Sequence, residues 1–296
     1  MCKYADVVPS NFHISISKFM PKLSIITICF NNNTGLRRTI DSVLPVLSSD
    51  VEYIIIDGGS TDGSRETIEA VADRLGYYCS EKDKGIYNAM NKGVAHAKGE
   101  YLIFLNSGDY LYSDKVIAEV LPTFDGTDII YGNLISLNPE TGKEHLDIPP
   151  DKVNADTFFR GSLPHPATFI RRQLLIETPY NEQLKIVADW EFFTKKIVWE
   201  GCSTKHIPYI ISVFIEDGIS STNKTLHDSE RKECTRRLFT PAINEVCYGW
   251  RALHSMACAE EMIKIGSTRK LHKRIRPLLR LIIRVNNLFS SPSHRI

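Results

Sequence analysis

Ile54-Ile55-Ile56-Asp57-Gly58-Gly59-Ser60-Thr61-Asp62-Gly63 runs from an unbroken apolar stretch into a carboxylate, a pair of glycines and a cluster of helix-capping side chains. Such a run reads as a fully buried strand that turns into a helix, the unit from which parallel α/β sheets are built. The same pattern stands on either side. Upstream, Leu23 to Phe30 is apolar and ends in Asn31-Asn32-Asn33; downstream, Ile103-Phe104-Leu105 ends in Asn106-Ser107-Gly108-Asp109. Apolar runs at 23–30, 51–57, 101–105 and 127–131 alternate with helical patterns at about 34–47, 60–75, 86–97 and 113–121. That alternation predicts an α/β fold, a Rossmann-like, mostly parallel sheet flanked by helices with right-handed crossovers. Ligands collect at the carboxyl ends of such strands, so the three polar loops are expected to share one cleft. The 60–75 helix is expected to start on Ser60 or Thr61 and to stop at Gly76.

Beyond Tyr131 the alternation gives way to shorter strands and Pro, Asn and Gly-rich loops, with Asn138-Pro139-Glu140-Thr141-Gly142 reading as a hairpin turn. A strand and helix follow Gly161–Phe169, a helix spans 186–200, a strand spans 205–215 and ends at Asp217-Gly218, and the chain is helical from about 226. The organisation expected is an N-terminal extension at 1–20, with Met20 a candidate start, an α/β domain at 21–225 and a helical C-terminal region at 226–296. The chain of 296 residues, 43% hydrophobic, can bury a core of normal size, and its net charge of +1 gives no pull towards nucleic acid. The charge is nevertheless lopsided: after Glu261 no acidic residue occurs, while Lys264, Arg269, Lys270, Lys273, Arg274, Arg276, Arg280, Arg284 and Arg295 do. Leu271, Ile275, Leu278, Leu279, Ile282 and Ile283 recur there at helical spacing around Pro277. This predicts a basic amphipathic end able to rest on an anionic membrane surface, against the plainer reading of a solvated basic face. Seven cysteines without a CxxC pair read as reduced thiols, no apolar run is long enough for a membrane span, and the N-terminus lacks the basic-then-apolar pattern of a signal peptide. A cytoplasmic protein is expected, peripheral at the inner face of the membrane.

The loop after Ile56 lacks the GxGxxG of dinucleotide binders and the GxxxxGK[ST] of P-loop proteins. It still offers a carboxylate, close backbone approach and a helix N-terminus to a base, ribose or phosphate, although Gly and Ser also build plain turns. Taken in order, "LSIITICFNN", "IIIDGGSTDGS", "SEKDKGIYNAMNKGVAHAKGEYLIFLNSGD", "HPATFI" and "ADWEFF" resemble the inverting family 2 glycosyltransferases of GT-A fold, over about 23 to 220. The likeness is strongest to bacterial enzymes of exopolysaccharide and O-antigen assembly, of the colanic acid type.

The resemblance implies a hexosyltransferase-type enzyme that moves a sugar from a nucleotide-sugar to a glycan or lipid-linked acceptor during cell-surface polysaccharide synthesis. Phe30 and Asp57 would then meet the base, one by stacking and one by accepting its N–H, unless Phe30 belongs to the core. Asp83, Lys84, Asn88 and Asn106 would line the diphosphate and donor sugar, with Asn88 and Asn91 facing one side of their helix. Asp109 matches the last carboxylate of the family's Asp-X-Asp, which holds a divalent ion, Mg²⁺ or Mn²⁺; the first is replaced here by Asn106-Ser107. His165 would face the acceptor or satisfy a loop. Asp189 matches the general base of the family's Glu-Asp motif, with Ala188 in place of the Glu, although it also suits a helix cap; Glu191 is the fallback base. Competing readings are a non-catalytic nucleotide-sugar or glycan binder, and a sugar nucleotidyltransferase, which would need a Gly-rich basic loop where Asn31-Asn32-Asn33 stands.

Overall fold

The structure is a computed structural model that describes residues 20–246; the extension before Met20 and the basic amphipathic end lie outside the described residues. The chain divides into two compact units, Met1–Cys234 and Thr235–Ile296. The first holds the sheet. Its opening half is β1 (Leu23–Cys29), α1 (Asn33–Val43), β2 (Val51–Asp57), α2 (Ser64–Glu69), β3 (Tyr77–Ser80), α3 (Ile86–His96) and β4 (Tyr101–Phe104). These strands lie in the order β3-β2-β1-β4, all parallel, with Cys29 level with Asp57 and Ile26 level with Phe104. Their polar ends therefore emerge along one edge, as the sequence pattern requires.

The second half is β5 (Tyr110–Leu111), α4 (Val116–Val120), β6 (Ile129–Leu137), β7 (Glu144–Asp147), α5 (Ala155–Arg160), β8 (Thr168–Arg171), α6 (Arg172–Glu177), α7 (Ala188–Phe193), β9 (Thr204–Ile215), α8 (Ile219–Thr222) and α9 (Lys224–Leu238). It extends the sheet as β4-β8-β6-β9-β5, with β7 on β6, and only the β6–β9 ladder there is parallel. The sheet as a whole is mixed, parallel where the three strand-end loops meet and largely antiparallel beyond. The β6–β7 hairpin turns at 138–143, where Gly142 adopts φ 65° and Gly142 N–H donates to Asn138 O.

Every residue of β1 is buried because the strand is covered on both faces. Leu23 and Ile25 join Leu36, Ile40 and Val43 of α1 and Val116, Ile117 and Val120 of α4 in one core layer. Ile26 faces the other way, onto α3, which approaches so closely that a methyl group on Gly93 would lie 2.6 Å from Ile26 Cγ2. Two helices differ from the sequence reading. The first is α2, which begins only at Ser64, because Ser60 is spent on the Asp57 carboxylate and Asp62 Oδ1 accepts from Ser64 N at 3.1 Å. The second is the helix read at 186–200, which is α for one turn and a half and then widens to a π turn over Thr194–Trp199. Among the described residues no helix is long and apolar enough to cross a membrane, and Cys29, Cys79, Cys202 and Cys234 are free thiols.

Candidate active site

Three consecutive asparagines stitch the strand-end loops together. Asn31 adopts a left-handed φ of 49°; its N–H donates to Ser60 Oγ (2.7 Å) and its Oδ1 accepts from Thr61 N (2.9 Å). Asn33 N donates to Asp62 Oδ2 at 2.8 Å. Asn32 caps α1 through Gly35 N (3.1 Å) and donates to Ser107 O at 2.9 Å. Short polar side chains tolerate αL and bond to nearby backbone, which is why asparagine suits this junction.

Between these loops and the second half of the sheet lies a cavity of about 550 Å³. Asn106, Asp109, His165, Lys185, Asp189 and Asp217 all stand on its walls. It continues past Ile28, Phe30 and Ile86 into a smaller lobe of about 260 Å³, walled also by Gly58, Lys82, Asp83 and Gly85. Phe30 is 64% exposed, so it is an open platform and not a core residue. A methyl group on Gly58 would sit 2.6 Å from Asp83 Oδ2 and 3.2 Å from the Phe30 ring, so glycine is what lets the two converge. Asp83 is itself fixed by Gly85 N at 2.8 Å.

Not every candidate from the sequence reaches the cavity. Asp57 is 0% exposed and its oxygens accept from Ser60 N (3.0 Å), Ser60 Oγ and Ser80 Oγ (2.6 Å), so it builds the loop from behind and Asp83 supplies the accessible carboxylate. Lys84 and Asn88 are off the wall: Lys84 N donates to Asn88 Oδ1 (3.1 Å), and Asn88 and Asn91 both donate to Glu182. The cations that do face the cleft are Lys82 and Lys185. Glu191 is 2% exposed, 3.2 Å from Lys195 Nζ and 3.2 Å from Asn181 Nδ2, which corrects its reading as a fallback base.

Asp189 lies in the first turn of α7 but caps nothing; its Oδ1 accepts from the Tyr87 hydroxyl at 2.9 Å, which is also 2.6 Å from Ile186 O. Burial, and next the Asp189 charge, hold the Tyr87 hydroxyl well above the usual tyrosine range, so it stays a donor. His165 stacks on Phe104 (5.0 Å between rings) and bonds Tyr180 OH at 2.9 Å. Burial lowers its affinity for a proton, partly offset by Asp189, and keeps the ring neutral near pH 7.

The turn Asn106–Asp109 hangs on Thr39 of α1, whose Oγ1 donates to Asp109 O (2.7 Å) and accepts from Gly108 N (3.0 Å). Asp109 is 5% exposed; burial pushes its carboxyl up to about 7, opposed by the N–H of Ile215 (3.1 Å to Oδ1) and aided by Asp217. Asn106 Oδ1 is buried without a hydrogen-bond partner. An orphaned carbonyl-type oxygen beside a carboxylate destabilised by burial is the oxygen donor set a divalent cation relieves, so these residues fit Mg²⁺ or Mn²⁺. Among the described residues no group of three or more His, Cys, Asp or Glu forms a self-sufficient metal cage. Sequence reasoning missed Lys185 and Asp217; Asp217 carried a signal, since it ends a strand pattern, and Lys185 carried none.

The sheet order, the joined loops and the two-lobed cleft define a GT-A glycosyltransferase. The sequence profile of the family described as Glycosyl transferase family 2 matches residues 24–182, and the chain belongs to that family. It is 31% identical over 212 residues, 68% of this chain and 80% of the relative, to a PGL/p-HBAD biosynthesis glycosyltransferase of Mycobacterium bovis. Among solved structures it is similar to Staphylococcus aureus TarS 1-349 in complex with UDP-GlcNAc, with TM-score 0.59 and 17% identity over 73% of this chain and 65% of that one. The chain thus spans slightly less than two thirds of that fragment. A second likeness is to the mannosyltransferase PcManGT from Pyrobaculum calidifontis in complex with GDP-Man and Mn²⁺, with TM-score 0.50 and 14% identity over 92% and 88% of the two chains.

Proposed function

We propose that this glycosyltransferase inverts the anomeric centre of a nucleotide-sugar and passes the sugar to a glycan or lipid-linked hydroxyl in cell-surface polysaccharide synthesis. One observation carries the reading: a single cavity at the strand ends holds a carboxylate suited to proton removal, Asp189, and a separate polar corner suited to the departing diphosphate, Asn106 with Asp109. The smaller lobe takes the nucleoside, with Phe30 against the base and Asp83 accepting from it. Lys185 and Lys82 face the diphosphate.

In the transfer, the acceptor oxygen attacks the anomeric carbon as its proton moves to Asp189, and the bond from that carbon to the diphosphate oxygen breaks with its electron pair on the diphosphate. Tyr87 orients Asp189 by donating to one oxygen and leaves the other for the acceptor. His165, neutral, can hold a sugar hydroxyl on the acceptor side. Asn106 and Asp109, with Asp217 at the cavity wall, would hold a divalent ion, which would offset charge on the departing nucleoside diphosphate.

The catalytic domain of this reading is 21–225 and the helical region 226–296. The basic end beyond residue 264 would rest on the anionic inner face of the cell membrane and bring the cleft to a lipid-linked acceptor. A panel of UDP-, GDP- and dTDP-sugars, assayed for hydrolysis and transfer with Mn²⁺ and with chelator, tests the whole. Metal-dependent release of one nucleoside diphosphate is expected; tight binding of a donor with no turnover on any acceptor would favour a non-catalytic binder instead.

A further inference from the structure

We propose that one turn of α9, through the consecutive residues Glu230 and Arg231, is a positioning clasp that sets Asp189 in the cleft. The inference rests on the transferase reading above, in which Asp189 takes the proton. Neither Glu230 nor Arg231 lines the cavity, so both act through other residues. The loop before Asp189 is gripped by Glu230: Oε1 accepts from Lys185 N at 2.8 Å and Oε2 from Ile186 N at 2.9 Å. Both oxygens of one carboxylate thus close on successive backbone N–H groups, a charge-assisted pairing that fixes direction as well as distance. The grip passes on, because Ile186 O is 2.6 Å from the Tyr87 hydroxyl that holds Asp189.

On the other side of Asp189 the next residue, Trp190, is held by Arg231. The guanidinium carbon lies 4.2 Å over the indole ring, and Nη2 donates to Gly161 O at 2.6 Å and to Phe158 O. Trp190 Nε1 donates to the same Phe158 O at 2.9 Å, so indole and guanidinium share one carbonyl. Successive helix residues point about 100° apart, and here that divergence lets a single turn seize two separate segments. Lys185–Ile186 before the base and Trp190 after it are tied to one rigid element, as precise placement of a reacting carboxylate demands.

The experiment compares Glu230→Gln and Arg231→Lys with the wild type, using Glu233→Ala, an exposed α9 residue, as control. Turnover of the donor found by the panel is measured well below each protein's melting temperature, together with the Kd of the matching free nucleoside, which meets the smaller lobe and not Lys185. Gln offers one acceptor where two are needed and Lys keeps the charge without the planar stack. Each is expected to lower kcat at least tenfold while the nucleoside Kd stays within twofold, because Phe30, Gly58 and Asp83 are untouched; the control retains wild-type kcat. Variants with kcat within twofold of wild type, or with kcat and nucleoside affinity lost in equal measure, overturn the clasp and leave the transferase reading standing. A wild type that turns over no donor in the panel overturns the reading and the clasp with it.

Discussion

Asp57, Asp83 and Asp109 all follow strands of one sheet, and burial and partners give them three different tasks. Asp57 is sealed under Ser60 and Ser80, Asp83 opens into the smaller lobe, and Asp109 is buried at the edge of the larger one. The sequence made Asp57 and Asp109 visible as strand-end carboxylates and Asp83 only through the family resemblance, and could not separate their tasks, since the differences come from residues far away in the chain. Gly58 sharpens this. Substitution by Ala puts a methyl group 2.6 Å from Asp83 Oδ2 and 3.2 Å from the Phe30 ring, so these two cleft side chains must give way, Asp83 by turning off its bond to Gly85 N, while the core is untouched. Gly58→Ala should therefore weaken nucleoside diphosphate binding about tenfold while the melting temperature changes little, readable by calorimetry and thermal denaturation.

Asp109 makes a pH prediction. Its folded value of about 7 exceeds that of an exposed carboxylate, so the folded protein holds the proton more tightly than the unfolded chain. The stability this provides is present below about pH 4 and is lost as pH rises towards 7. Metal-free protein should melt lower at pH 8 than at pH 5, and Asp109→Asn, which cannot ionise, should remove that part of the slope. An unchanged slope in the variant would show that Asp109 is not its source.

At the scale of elements, the opening βαβ units were legible because each strand is buried on both faces and reads as a continuous apolar run. The edge strands β3 and β5 were not, being short and only partly buried, and α2 was read too long because Ser60 serves a carboxylate instead of a helix. That the strand-end loops act as a unit was legible only as an expectation; the asparagine bonds that join them depend on spacing in three dimensions. Thr39 shows how an element positions a site: from α1 its hydroxyl holds two backbone groups of the Asn106–Asp109 turn, donating to Asp109 O and accepting from Gly108 N. Thr39→Val keeps the shape and removes those bonds, leaving buried polar groups unpaired at a cost of about 1–3 kcal/mol each. Chemical denaturation should show that loss, and Mn²⁺ affinity in the presence of nucleotide should fall with it.

For the molecule as a whole, the parallel half supplies the nucleoside lobe and the mixed half supplies His165, Lys185, Asp189 and Asp217. The alternation fades only after Tyr131, whereas the parallel half already ends at β4, and the strand order β4-β8-β6-β9-β5 was not legible either, because antiparallel pairing leaves no local mark of who pairs with whom. A ligand that binds the folded cleft must stabilise the molecule, by about 2.7 kcal/mol at 100 times its Kd. For a chain of this size the correct nucleoside diphosphate with Mn²⁺ should raise the melting temperature by about 4 °C, and nucleoside diphosphates of the wrong base should not.

The central claim is that Asp189 takes the acceptor proton, and one comparison reaches it most directly: turnover of Asp189→Asn against wild type at saturating donor and acceptor, with nucleoside diphosphate affinity measured on the same preparations. Removing a general base costs roughly 10²–10⁴-fold in rate, so kcat should fall by at least a hundredfold with Kd unchanged. An Asp189→Asn enzyme that turns over within tenfold of wild type would contradict the claim.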